Sequence, residues 1–226
     1  MQTSDIKKQF NSCVDNYDAG RRHFIPCFDD YYETGVNLLS FVVKDCKAIL
    51  DLGAGTGLLT KYLYAKFPRA HFTLVDVAEK MLDVAKVRFQ GKPNFTYKIA
   101  DYSAAFPDDD FDLIVSALSI HHLSEAEKFA LYSLVFKKLP KDGVLMNLDQ
   151  FNADSPAMTE ACNQFWLDYI QHSDISKEEF DRWVSRKALD QENSISNTLT
   201  MLRRIGFRSA DCVYQYPKFG VIIAVK

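Results

Sequence analysis

The 226-residue chain has no apolar run approaching the ~20 residues of a bilayer-spanning helix, so no membrane role is expected. Its first ten residues, MQTSDIKKQF, lack the apolar core of a signal peptide, which leads us to expect a soluble, cytoplasmic protein. Closely spaced cysteine pairs are missing as well. Cys13, Cys27, Cys46, Cys162 and Cys212 are scattered, odd in number and never spaced C-x-x-C. That suits reduced thiols rather than a disulfide framework or a zinc site. Excess positive charge is also absent. The net charge of −3 and pI near 6.0 offer no global attraction to polyphosphate, which disfavours nucleic acid as a partner. No internal repeat or low-complexity segment is visible.

What remains is an ordinary globular composition, 47% hydrophobic and 25% charged, on a length that suits one domain. Aromatics are rich, with 17 Phe and 11 Tyr, which favours a well-filled core or an aromatic pocket. Between 47 and 143, short apolar runs alternate with amphipathic stretches. Residues 48–52, 71–76, 94–100, 111–116 and 144–148 read as strands; 58–67 and 79–89 read as helices. Ser124 with Glu127 forms a capping box that should open a third helix ending near Leu139. A further helix over 198–205 should stop at Gly206, and strands 209–216 and 219–225 should form an antiparallel hairpin.

Alternating strands and helices with near-continuous apolar strands imply a parallel sheet covered on both faces. The expected fold is α/β, a Rossmann-like doubly wound seven-stranded sheet, mostly parallel, closed by the antiparallel C-terminal hairpin. A single domain is expected over 1–226. Within it, 1–44 is an N-terminal helical lid, 45–150 a cofactor-binding core, 151–193 an inserted helical lid, and 194–226 the last helix and hairpin. Both lids are placed to fold over the carboxyl ends of the strands, where open α/β sheets bind ligands.

The loop Gly53-Ala54-Gly55-Thr56-Gly57 follows a strand and opens a helix, the setting of a nucleotide-binding glycine loop. Glycines allow sharp turns and close ligand approach, and the helix start offers free N–H groups to an anionic group. Asp76 closes the second strand ahead of Val77 and Met81 and is placed to take ribose hydroxyls. The loop reads G-x-G-x-G behind the acidic Asp51, which suits a cationic, amino-acid-bearing cofactor better than a pyrophosphate. Asp101, ending the third strand beside Tyr102, can accept from an adenine amino group.

The succession DLGAGTG, LVDVAEKML, ADYS, FDLIVSALSIHHL and PKDGVL resembles the class I S-adenosylmethionine-dependent methyltransferases. The segments FNSCVDNYDAGRRHFIPCFDDYY and SRKALDQENSISNTLTMLRRIGF resemble a narrower group that includes the carboxy-S-adenosylmethionine synthases. The resemblance implies S-adenosylmethionine as cofactor. Gly53, Gly55 and the helix after Gly57 would hold its methionine end, Asp76 the ribose, and Asp101 and Tyr102 the adenine. Ser116, Ala117 and Leu118 would line the sulfonium, with Tyr17 and Arg22 closing over it. Arg186 aligns with an arginine that meets the extra carboxylate in the synthases, whereas Ser119-Ile-His-His-Leu123 has the ordinary methyltransferase form.

His121 and His122 would lie where the methyl group sits, and either could deprotonate an acceptor near neutral pH. No acidic or cysteine partner follows them at a ligand spacing, so no metal is expected. The expected function is methyl transfer to a small-molecule acceptor that Tyr17, His121, His122 and Arg186 face. Alternatives are carboxy-S-adenosylmethionine synthesis or cofactor binding without catalysis; a homodimer through the lid helices is compatible with all three.

Overall fold

A computed structural model of the chain describes residues 17–226. The part of the N-terminal segment before Tyr17 lies outside the described residues. The described residues form seven strands and eight helices: α1 (Tyr17–Phe24), α2 (Phe28–Val42), β1 (Ala48–Leu52), α3 (Leu58–Lys66), β2 (His71–Asp76), α4 (Glu79–Arg88), β3 (Phe95–Ile99), β4 (Leu113–Ala117), α5 (Glu125–Lys138), β5 (Val144–Gln150), α6 (Pro156–Gln171), α7 (Lys177–Lys187), α8 (Ile195–Ile205), β6 (Ser209–Tyr216) and β7 (Phe219–Val225). A short 3-10 turn, Ile120–His122, follows β4.

The strands form one sheet in the order β3-β2-β1-β4-β5-β7-β6. The first five are parallel, β7 runs antiparallel to β5, and β6 antiparallel to β7. The expected Rossmann-like sheet and its terminal hairpin are therefore present. Alternate residues of each central strand feed opposite faces, as the two-residue period requires. Ile49, Leu74, Val115 and Met146 pack with α2, α3, α4 and α6 on one face. Leu50, Leu52, Ile114, Leu145 and Ile222 pack under α5 and α8 on the other.

Two boundaries differ in ways that matter for the site. β5 runs two residues beyond the expected strand because Asp149 and Gln150 pair with Gly220 and Phe219 of β7. α8 starts at Ile195, not 198, because Ser194 Oγ accepts from the Asn197 amide as a cap. The N-terminal segment also divides. α2 is a wall of the core, with Tyr31, Tyr32, Val36 and Leu39 buried, and it approaches β7 so closely that a Cβ on Gly35 would lie 2.8 Å from Val221 Cγ1. α1 sits over the site and is tied to α6, since the Trp166 indole N–H donates to Phe24 O at 2.7 Å and the Tyr169 hydroxyl to Arg22 O at 2.9 Å.

Candidate active site

Leaving β1, the backbone turns through Gly53 (φ 68°), Gly55 (φ 54°) and Gly57 (φ 74°), all left-handed and thus suited to glycine. A Cβ on Gly53 would fall 2.0 Å from Ser119 Oγ, while one on Gly55 would meet nothing within 4 Å. The loop opens onto a chamber at the strands' carboxyl ends, with about 1070 Å³ of atom-free space including its mouth. Asp51, Gly53, Ala54, Gly55, Asp76, Val77, Met81, Asp101, Tyr102, Ala117, Leu118 and Tyr17 all line it, as the sequence leads one to expect.

Its electrostatics suit a cation at one end and a diol at the other. Asp51 is 1% exposed; its Oδ2 accepts from Thr60 Oγ1 at 2.5 Å, and its Oδ1 is buried with no partner among the described residues. Burial, opposed by the Thr60 bond and aided by Asp76, lifts its pKa to about 7. An ammonium group placed there would satisfy the orphaned oxygen. Asp76 accepts from the amides of Gly55 at 2.8 Å and Ala78 at 2.7 Å. Burial raises its pKa, those N–H groups oppose the rise, and each carboxylate oxygen keeps a lone pair for a hydroxyl. Tyr102 is fixed by a 2.8 Å hydrogen bond between its hydroxyl and Ser119 Oγ. The residues present therefore fit S-adenosylmethionine.

Three expected residues lie elsewhere. Arg22 points outward, 55% exposed, paired with Asp29 at 2.6 Å and lying over the Phe28 ring. Its neighbour Arg21 lines the chamber instead, because successive helical residues diverge by about 100°. Ser116 is fully buried and donates to Leu52 O at 2.8 Å, tying β4 to β1. Gly57 serves packing, since a Cβ there would lie 2.7 Å from Phe89 Cε2.

A second chamber adjoins the first and shares Tyr17, Arg21, Leu118 and His122 with it. Its walls are Phe24, Trp166, Trp183 and Phe219, and Gln150, Arg186, Lys187, His121 and Asp190 supply polar groups. All four expected catalytic residues thus border this space, but the two histidines differ. His121 is buried, with Nδ1 2.5 Å from Asp149 Oδ1 and Nε2 3.4 Å from Asp190 Oδ1. Burial works against its charge, yet the two carboxylates hold its pKa up at about 10, which removes it as a base near neutrality. For His122, burial and then the adjacent His121 charge push the pKa below its ordinary value. Its Nδ1 lies 3.2 Å from Asp190 Oδ1, a carboxylate that works against both of those effects.

His121, His122 and Asp190 each bring a ligand atom within 4.8 Å of the others. The acidic partner missing from the local spacing thus arrives from a distant loop. With His121 held as an imidazolium by Asp149 and Asp190, the trio reads as an ion-pair network. Arg186 is half-buried with its guanidinium 5.9 Å from the centre of the Phe24 ring, and it has no carboxylate partner among the described residues.

Sequence reasoning missed Arg21, Ser119, Asp149, Gln150, Asp190 and Asp18. Asp18 accepts from Thr56 Oγ1 at 2.6 Å and pairs with Arg88, clasping α1 to the glycine loop. Asp149 carried a usable signal: a lone carboxylate near the end of an apolar strand on the ligand side of the sheet.

The family model described as "Methyltransferase domain" matches residues 49–143. A carboxy-S-adenosyl-L-methionine synthase of Helicobacter hepaticus is 22% identical over 238 residues, covering 98% of this chain and 97% of that protein. A malonyl-[acyl-carrier protein] O-methyltransferase of Bacillus cereus is 34% identical over 98 residues, covering 43% of this chain. The chain spans 35% of that relative's length. Among solved structures, the DhpI-SAH complex superposes with a TM-score of 0.68 at 16% identity, covering 98% of this chain and 95% of that one.

Proposed function

We propose that the chain, whose residues 49–143 match a methyltransferase-domain model, transfers the methyl group of S-adenosylmethionine to a small-molecule acceptor in the second chamber. The observation that carries this reading is the join between the two chambers. One end holds the glycine loop, the orphaned Asp51 oxygen and Asp76; the other is an aromatic-lined space, and His122 borders both. The second chamber's lining of aromatic rings with a few polar groups is the composition of a small-molecule site.

The cofactor supplies a methyl group on a sulfonium, a leaving group already installed. The chain's part is alignment and exclusion of water, which can supply ~7–11 kcal/mol. Leu118, held at φ 54°, and Tyr17 border both chambers, where the acceptor atom would approach. With the cofactor bound, its sulfonium would supply the methyl group to the acceptor oxygen, and His122 would take the proton that oxygen gives up. His121 does not take the proton; its charge keeps His122 neutral.

The test is calorimetric titration with S-adenosylmethionine and S-adenosylhomocysteine, followed by mass spectrometry of any ligand released on denaturation. Saturable binding of both supports the reading, and failure of both sinks it. A second reading, carboxy-S-adenosylmethionine synthesis, draws support from the whole-length match to the synthases and from Arg186 in the adjoining second chamber. Recovery of carboxy-S-adenosylmethionine from the purified protein would favour it.

A further inference from the structure

We infer that the acceptor is a hydroxylated aromatic carboxylate, with its ring against the tryptophan-lined wall and its carboxylate on Arg186. This rests on the methyl-transfer reading and goes beyond it by naming the substrate class. Three observations converge.

The first is charge. Lys187 Nζ pairs with Glu192 at 2.8 Å, a carboxylate it shares with Lys218, and lies 3.4 Å from Asp190. Asp149 and Asp190 are engaged by the His121 imidazolium, as described above. Arg186, half-buried in the same chamber, has no acidic partner among the described residues. An uncompensated guanidinium in a partly desolvated pocket calls for an anion. Its planar fork matches a carboxylate bidentately.

The second is shape. Trp183 stacks near-parallel on Phe24 with centroids 6.4 Å apart, and Trp166 meets Trp183 edge-on at 5.1 Å and Phe219 at 5.3 Å. The Trp166 indole N–H is committed to Phe24 O, so this side chain offers the chamber only ring surface. Such walls favour a flat ring, through offset or edge-to-face contact.

The third is polarity elsewhere in the chamber lining. Gln150 Oε1 is buried without a partner among the described residues, an acceptor that a ligand donor would satisfy. His122 is the proton acceptor at the chamber junction. A ligand hydroxyl suits both positions, where an apolar substituent would leave them unmet.

Trp166 and Trp183 are the chain's two tryptophans, so intrinsic fluorescence reports directly on this chamber. The experiment titrates the full-length protein with 4-hydroxybenzoate and with neutral 4-hydroxybenzamide, with and without saturating S-adenosylhomocysteine. The same titrations are run on Arg186→Gln and Arg186→Lys, each checked for native circular dichroism. Saturable quenching by the carboxylate is expected in the wild-type protein, with affinity falling at least tenfold in R186Q and partly restored in R186K. The amide should bind more weakly and ignore the substitution. Equal binding of the two probes, unchanged carboxylate affinity in R186Q, or no saturable quenching by either probe overturns the inference. S-adenosylhomocysteine binding, measured by calorimetry on the same samples, separates the failures. If it binds while carboxylate selectivity is missing, only the substrate class falls; if it does not bind, the methyl-transfer reading falls.

Discussion

Asp51 offers a measurement in which stability and ligand binding must move in opposite directions. Its carboxyl is buried, and its pKa rises from 3.8 to about 7 on folding. A raised carboxyl binds more protons folded than unfolded, so stability falls as pH climbs from about 4 to about 7 and is level above that window. At 1.36 kcal/mol per unit, the raised carboxyl costs the ligand-free protein about 4 kcal/mol near pH 8 and about 2 kcal/mol near pH 5. Asp51→Asn keeps the acceptor for Thr60 Oγ1 but does not titrate. The stability of D51N relative to wild type should therefore be about 2–3 kcal/mol more favourable near pH 8 than near pH 5. In a domain of this size that is a shift of ~5–10 °C in the Tm difference. Comparing two pH values cancels any pH-independent effect of the amide. The assay is denaturant unfolding of both proteins at each pH. Binding should go the other way, because the variant loses its ion pair with the ligand's amino group: S-adenosylmethionine affinity is expected to fall at least tenfold. A stability gap that does not change with pH, or unaltered affinity in D51N, refutes the placement of a cation on Asp51.

Other perturbations separate the roles of neighbouring groups. His122→Ala should lower kcat by ~10²–10⁴ with S-adenosylmethionine affinity held within twofold, as steady-state kinetics and calorimetry would show. Because the His122 pKa is pushed below its ordinary 6.5, wild-type kcat at saturating S-adenosylmethionine, where Asp51 is held charged by the ligand, should stay level from pH 8 to pH 6.5 and fall only in more acid solution. His121, whose pKa is raised to about 10, contributes stability that is fully present below about pH 6.5 and is lost as pH rises toward 10. The stability advantage of wild type over His121→Gln should therefore shrink steadily across that range in denaturant titrations. Gly53→Ala combines a left-handed backbone with a Cβ 2.0 Å from Ser119 Oγ, whereas Gly55→Ala carries the backbone strain alone. The first should cost more than the ~1–2 kcal/mol of left-handed strain and the second about that much, a difference visible in their melting temperatures.

The sheet was legible because its rules are local. Near-continuous apolar strands, a capping box at Ser124 and a glycine stop at Gly206 each declare themselves within a few residues, and they place the elements to within about three positions. The cofactor chamber was legible for a related reason: the glycine loop and the carboxylate at the end of β2 are tied to strand ends, and the topology brings those together. Orientation within the lid was not. Arg21 and Arg22 are adjacent and chemically alike, and only the docking of α1, through Asp18 on Thr56 and Trp166 on Phe24 O, decides which of them turns inward.

The histidine pair shows why such ambiguity cannot be resolved from spacing. His121 and His122 follow the same strand and share a type, so local reasoning gives them the same chance of acting as the base. What separates them comes from far along the chain. Asp149 meets His121 because β5 runs beside β4 and extends past Leu148, and it does so only because β7 pairs with that extension. Asp190 reaches both rings because the following residue, Gln191, donates its amide to His121 O at 2.8 Å, and Lys128 holds the Gln191 carbonyl from α5. One imidazole is thereby held charged and the other is biased toward its neutral form beside it. The assignment is a property of two sequence-distant carboxylates, and Asp149→Asn should test it: with the main counter-charge gone, the His121 pKa should drop. An NMR titration of the imidazole resonances would show this, and a His121 that still titrates near 10 in that variant would place the controlling charge elsewhere.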